Sequence, residues 1–197
     1  MANRSPLLLE TIRIENGRPL HLAWHNRRFN RVRRELFGAR EALDLAGFLG
    51  EIPLRGRYRC RVLYTLYIEQ VELLPYSPRL PRRFALTEFD GDYRYKYADR
   101  RVFEDLRRLH PGVEELILCR KGLLTDTTIA NIALRRGMIW YTPRRPLLAG
   151  TTRARLLEAG QLVESDISCD EITGYDELAL MNAMIGFAPI QSPTYIM

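Results

Sequence analysis

Tyr93-Arg94-Tyr95-Lys96-Tyr97-Ala98-Asp99-Arg100 is the stretch on which the reading of this chain turns. The chain carries 30 basic residues, yet lysine stands only at Lys96 and Lys121; all the others are arginine. Arginine cannot replace lysine where an amine must lose its proton and attack a carbonyl, because guanidinium stays charged. A lysine kept between two tyrosines is therefore either a nucleophile or a survivor of drift towards arginine. Lys121, in Arg120-Lys121-Gly122 between two apolar runs, reads as a solvated turn residue. An amine-based chemistry would fall to Lys96, and burial between tyrosine rings would lower its pKa, as a carbonyl-attacking amine requires.

The rest of the chain can support such a site. Its 197 residues, 46% hydrophobic, suffice for one large domain or two small ones with a real core. No run approaches the length of a membrane span, and the N-terminus lacks a secretion pattern. The Asn3-Arg4-Ser5 triplet then carries no meaning as a glycosylation site. A cytoplasmic protein is expected, with Cys60, Cys119 and Cys169 reduced and neither a disulfide framework nor a metal site. The net charge of +6 is spread along the chain and mixed with 24 acidic residues. It explains a small anionic ligand as well as nucleic acid, and nucleic acid is not expected as a partner.

Periodicity predicts mixed α and β structure. Residues 7–14 and Pro19–Leu22 read as short strands joined at Asn16-Gly17. From His25, Phe29, Val32 and Leu36 mark one helix face, with Arg27, Arg31 and Arg34 elsewhere and Gly38 at the end. Residues 39–50 read as a second short helix. Residues 57–74 alternate as one long strand, or two bent near Thr65. Pro75, Pro78 and Pro81 mark a linker, which sets a small domain over 1–76, a linker over 77–83 and a larger domain over 84–197. In that larger domain residues 98–109 read as a helix with Val102, Leu106 and Leu109 on its apolar face. Strands follow at 115–119, 123–134 and 138–142, and Gly150-Thr151-Thr152-Arg153 leads into another helix. A β-α-β unit closes the chain, with its helix around Asp176–Leu178.

A lysine-bound conjugated cofactor is most often pyridoxal 5'-phosphate, which needs an amine, a carboxylate for its ring nitrogen and a phosphate cradle. Gly150-Thr151-Thr152-Arg153 offers free amides and hydroxyls at a helix start, or a plain helix cap. Arg28 supplies a counter-charge, or belongs to a solvated helix face. Asp126, in Thr125-Asp126-Thr127-Thr128, holds the ring proton or caps a turn.

In order along the chain, these segments resemble the class IV aminotransferases, the fold-type IV pyridoxal-phosphate family that includes branched-chain and D-amino-acid aminotransferases and aminodeoxychorismate lyase. Leu9-Glu10-Thr11-Ile12-Arg13 with Gly17 resembles the family's opening strand and turn. His25-Asn26-Arg27-Arg28-Phe29 resembles its His-x-x-Arg-Leu helix, whose arginine binds cofactor phosphate. Lys96 falls on the aldimine lysine, and Lys96-Tyr97-Ala98-Asp99-Arg100 is similar to the Lys-x-x-Asn-Arg form of the lyases. Leu124-Thr125-Asp126 through Asn131 resembles Val-Thr-Glu-x-x-x-x-Asn, followed by Tyr141-Thr142-Pro143. Gly150-Thr151-Thr152-Arg153 resembles Gly-Ile-Thr-Arg, and Met181-Asn182-Ala183-Met184 with Pro189 resembles the last phosphate loop.

The resemblance implies a two-domain α/β enzyme with a reduced N-terminal domain, its site in the cleft between domains, and a homodimeric state. Lys96 would be catalytic; Arg28, Lys96, Asp126, Asn131, Thr151, Thr152, Asn182 and Ala183 would hold pyridoxal 5'-phosphate. Arg59 or Arg61 would meet the carboxylate of a small amino-acid-type substrate. Asp126 stands where the family has glutamate, one methylene longer. Asn182-Ala183 and the lysine segment lean to the lyases, so β-elimination of pyruvate from aminodeoxychorismate and transamination are both implied. The alternative is a decayed family member acting as a basic binding protein.

Overall fold

The computed structural model describes residues 5–196, so Asn3 and Arg4 of the glycosylation triplet lie outside the described residues. The chain forms two compact units, one running to Pro78 and taking in Tyr95–Asp99, the other comprising Arg79–Arg94 and the chain from Arg100 onward. The lysine segment thus groups with the N-terminal unit, although it follows the proline-rich stretch in sequence.

In the first unit, β1 (Leu8–Glu15) and β2 (Arg18–Pro19) meet through the Asn16-Gly17 turn, where both residues take positive φ (47° and 79°). That geometry matches the twist of a two-residue hairpin. The helix α1 (Leu22–Phe37) starts three residues earlier than the periodicity predicts, directly after His21 at φ 55°, which cuts the second strand short. It ends at Gly38 (φ 66°), whose N–H bonds back to Arg33 and Arg34 carbonyls. Its buried face carries Phe29 and Val32, while Arg27, Arg31 and Arg34 are exposed. β3 (Arg57–Tyr64) and β4 (Ile68–Pro75) are two antiparallel strands broken by the turn near Thr65, giving an antiparallel sheet of order β2-β1-β3-β4. Leu8, Ile12, Ile14, Phe29, Val32, Cys60, Val62 and Tyr64 form its core.

The helix expected over residues 39–50 is a single 3-10 turn, Leu45–Phe48. Side chains of α1 take the backbone groups a helix would need. Asn30 bonds both the carbonyl and the N–H of Leu43 (2.8 and 2.9 Å), and Arg33 donates to the carbonyl of Glu41 (3.0 Å). Asp44 then caps the short turn through the Ala46 N–H.

In the second unit β5 (Arg83–Glu88), α2 (Arg101–Arg108), β6 (Glu115–Arg120), β7 (Leu123–Thr127), β8 (Asn131–Arg136), β9 (Ile139–Pro143), α3 (Thr151–Glu158) and β10 (Val163–Ser165) are followed by β11 (Glu177–Asn182), β12 (Gly186–Ile190) and β13 (Thr194–Ile196). They build a mixed sheet of order β10-β9-β8-β7-β6-β5-β13, with β11 pairing β8 and β12. Few helices and two sheets make this the mixed α/β architecture that the sequence implies.

Three expectations fail here. α2 is buried through Phe103, and Val102 and Leu109 are 46% and 74% exposed, so the predicted apolar face is misplaced. Phe103 wins because its ring meets both Phe89 and Tyr93. Residues 176–178 enter a strand rather than a helix, since β11 is central and hydrogen-bonded on both sides; the helical turn lies earlier, at Cys169–Gly174. Cys119 and Cys169, 50 residues apart, form a disulfide. The segment Ile167–Cys169 pairs with Gly122–Leu124, which carries Cys169 alongside β6. Only Cys60 is a free thiol, buried in the first unit.

Candidate active site

The lysine segment is placed by the edge of β1. The Leu9 N–H donates to the Lys96 carbonyl (2.9 Å), and the Ala98 N–H to the Leu7 carbonyl (2.9 Å). The Tyr97 N–H also reaches the Tyr95 carbonyl (3.0 Å), so Lys96 sits at the centre of a three-residue turn. Tyr95 and Tyr97 meet each other edge to face at 6.2 Å and pack on the first unit's core. The rings anchor the turn in the core; Lys96 itself is half-buried. Lys121 is exposed in a tight turn at φ 53°.

Behind β1 lies a charge cluster that residue-by-residue reading misses. Glu10, with no exposed surface, accepts from Arg28 Nε and Nη2 (both 2.7 Å) and contacts His25 Nδ1 at 2.7 Å. Burial alone would raise the Glu10 carboxyl; the Arg28 guanidinium and the His25 contact outweigh it and hold the pKa at about 2. His25 and Arg28 stand three residues apart on α1, hence on one helix face. The sequence shows both, but not that Glu10 meets them. Arg28 is thus buried against a carboxylate and does not belong to a solvated helix face.

In the second unit the β7–β8 turn brings Asp126 and Asn131 side by side. Thr127 Oγ1 accepts from the N–H groups of Ile129 and Ala130 (3.2 and 3.0 Å), which folds the turn and breaks the single run that the sequence suggests. Asn131 Nδ2 donates to Asp126 Oδ1 (2.7 Å) and to the Leu148 carbonyl (2.8 Å). The Leu148 N–H donates to Asp126 Oδ2 (2.9 Å). Asp126 is 3% exposed, and this burial pushes its carboxyl up to about 7 in spite of those donors and the more distant Arg153 charge.

The loop that follows closes on the same pair. A Cβ at Gly150 would lie 1.9 Å from Asn131 Oδ1, so only glycine admits the amide there. Gly150 caps α3, whose first residues Thr151 and Thr152 are buried. The first turn of a helix leaves amides without intrahelical acceptors. Arg153 is committed to structure, donating to the Pro143 carbonyl (2.8 Å) and to Glu164 (2.6 Å).

Asn182 organises the β11–β12 turn: its Oδ1 accepts from Met184 and Ile185 N–H groups (2.9 and 3.0 Å), and Ala183 lies in the turn between. Its Nδ2 donates to the Ile129 carbonyl (3.2 Å), tying this turn to the one beside Asp126. Glu115, also unnoticed in the sequence, is buried and holds Arg107 and the Thr128 hydroxyl (2.6 Å). Arg59 and Arg61 lie on β3, with Arg61 paired to Glu72 at 2.6 Å.

Residues 96–192 match the family model described as amino-transferase class IV. A solved candidate 4-amino-4-deoxychorismate lyase from Haemophilus somnus 129PT shares 30% identity, with a TM-score of 0.84 over 93% of this chain and 98% of that one. The chain belongs to the class IV aminotransferase family. An uncharacterized protein of Haemophilus influenzae Rd is 34% identical over 185 residues, covering 91% of this chain and 98% of its own length. The PLP-bound form of a hypothetical aminotransferase from Mycobacterium tuberculosis shares the fold, with a TM-score of 0.78 at 15% identity, 98% of this chain and 82% of that one being covered. The architecture is therefore fold-type IV, and the family is pyridoxal-phosphate-dependent. Among the described residues no helix is long and apolar enough to cross a membrane.

Proposed function

We propose that this protein is a pyridoxal 5'-phosphate enzyme that eliminates pyruvate from aminodeoxychorismate or a closely similar amino acid. The observation that carries the reading is Asp126, a buried carboxyl met by neutral donors, the Asn131 side-chain amide and the backbone N–H groups of the Leu147–Leu148 loop. Such a group calls for a cation or a proton, and a protonated ring nitrogen supplies both in one contact. The loop that follows packs on this pair, with the Leu148 N–H on Asp126 and Gly150 against Asn131. The donor set suits the cofactor's other end too: the amides at Thr151 and Thr152, the Asn182–Ala183 turn and the Arg28 guanidinium are the chemistry that binds phosphate.

Pyridoxal phosphate supplies an electron sink for negative charge at the amine-bearing carbon of the substrate. Lys96 Nζ holds the cofactor and moves the proton of that carbon. Asp126 keeps the ring nitrogen protonated, and Asn131 fixes the Asp126 rotamer. Glu10 and His25 lock Arg28 in one orientation for phosphate. The family's usual homodimer is part of this reading.

The elimination is preferred over transamination because the Haemophilus somnus relative, matched along nearly its whole length, is a candidate lyase. The test is pyruvate release from aminodeoxychorismate with no keto-acid acceptor present. Release under those conditions supports the lyase, and turnover that requires an acceptor refutes it in favour of the aminotransferase.

A further inference from the structure

The strand that carries Asp126 is held from both edges, and a disulfide joins the two holders. Among the described residues β7 pairs with β8 only at Asp126 and Asn131, so the rest of the strand depends on other neighbours. On one edge lies β6, with Cys119 opposite Leu124 and Ile117 opposite Thr127. That register leaves Thr125 and Asp126 together facing Leu118, a β-bulge, and the Thr125 hydroxyl fixes it by donating to the Leu118 carbonyl (2.8 Å). Bulges re-aim side chains, and this one holds the residue that bonds Asn131. On the opposite edge, ahead of β8, lie residues 167–169. There the Leu124 N–H donates to the Ile167 carbonyl (2.8 Å) and the Cys169 N–H to the Gly122 carbonyl (2.9 Å). The Cys119–Cys169 bond thus links the two flanks of β7 directly beside the bulge. Its two ends differ in access: Cys119 is 2% exposed, whereas Cys169 is half-buried where the Cys169–Gly174 turn begins.

We propose that Cys119 and Cys169 form a thiol–disulfide switch, worked by a dithiol reductant, that sets how firmly Asp126 is presented to the cofactor. The inference goes beyond the proposed function and rests on it only for the identity of the ligand that responds. A thiolate of the reductant attacks the more accessible Cys169 sulfur, and the Cys119 sulfur leaves as a thiolate and takes a proton. The reductant's second thiolate then releases Cys169. The protein gains two electrons and two protons, and the dithiol becomes a disulfide. Cys60 takes no part: it lies in the first unit's core, and burial pushes its thiol up to about 11. With the bond open, residues 167–169 hold β7 through two backbone hydrogen bonds and the packing of Ile167. A strand with fewer ties opens more often, and Asp126 then parts from Asn131 and the Leu148 N–H.

The test prepares the full chain with oxidised dithiothreitol or with reduced dithiothreitol that is then removed under nitrogen. Alkylation after denaturation should count one thiol per chain in the first sample, on Cys60, and three in the second. Pyridoxal phosphate, followed by its visible band, should bind the oxidised protein at least tenfold more tightly. Cys169→Ser should match the reduced wild type whatever the treatment. Amide hydrogen exchange supplies a readout that needs no cofactor: reduction should speed Leu124 and Leu148 at least tenfold and leave Leu9, in the first unit, unchanged. Three thiols after oxidation overturn the inference. So does equal cofactor affinity in the two oxidation states, or a Cys169→Ser variant that binds like the oxidised protein. Exchange that quickens equally at Leu9 also overturns it, since the bond would then be a general brace. A protein with no band in either state, whose Leu124 and Leu148 exchange still follows the thiol count, keeps the switch and refutes the pyridoxal-phosphate reading instead.

Discussion

Asp126 makes a quantitative demand on the cofactor-free protein. Its carboxyl rises from 3.8 to about 7 on folding, chiefly because burial penalises the charged form. A raised carboxyl pKa contributes stability that is fully present below pH 3.8 and is lost as pH rises through 7. Over that interval the folded state keeps a proton the unfolded chain has released, so the loss comes to about 4 kcal/mol. Asp126→Asn removes the titration but can accept on one side only. Its NH2 group must face either the Leu148 N–H or the Asn131 amide, at a cost of about 1–3 kcal/mol. The variant should therefore be the less stable protein near pH 4.5 and draw level with or pass wild type by pH 8. Urea midpoints of both proteins across that range, without cofactor, give the difference curve. A gap that stays constant from pH 4.5 to 8 would refute the reasoning, because Asp126 would then titrate alike in folded and unfolded chains. With pyridoxal phosphate bound, the wild-type loss at high pH should shrink, since the ring nitrogen supplies the missing positive charge.

Two other predictions concern packing and the first unit. Gly150→Ala puts a Cβ 1.9 Å from Asn131 Oδ1, so the Asn131 side chain must leave both Asp126 and Leu148. Thermal unfolding should register a loss of about 2–4 kcal/mol, and cofactor affinity should fall with it. Glu10→Gln leaves Arg28 buried without its carboxylate and should cost about 3–5 kcal/mol at pH 7, read from denaturant midpoints. In wild type the Glu10 contribution, present above pH 4.5, is lost as pH falls towards 2, the reverse of the Asp126 dependence.

Much of this was legible because the informative signals were local. Asn16-Gly17 and Gly38 announce positive φ, and the prolines between Pro75 and Pro81 announce a break. Lys96, Asp126 and the Gly150–Arg153 stretch stand out by residue type. What sequence withheld is who partners whom across distance. Glu10, His25 and Arg28 are each visible, but their meeting depends on α1 lying against β1. The failed helix at residues 39–50 has the same origin: propensity is blind to Asn30 and Arg33 reaching over to take its backbone groups. The Cys119–Cys169 bond depends on a strand pairing that spacing does not reveal, and it withdraws cysteine usage as support for a reducing compartment. Gly150 reads as a generic helix start; its requirement for no side chain comes from Asn131, nineteen residues earlier.

The central claim, that Lys96 is the amine that holds pyridoxal phosphate, is tested most directly by borohydride reduction of the loaded protein followed by peptide mass spectrometry. The account predicts one phosphopyridoxyl group per chain, on Lys96, with a visible absorbance band that reduction bleaches and that Lys96→Ala lacks from the start. Modification confined to the exposed Lys121, or a protein that stays colourless with excess cofactor, would contradict it.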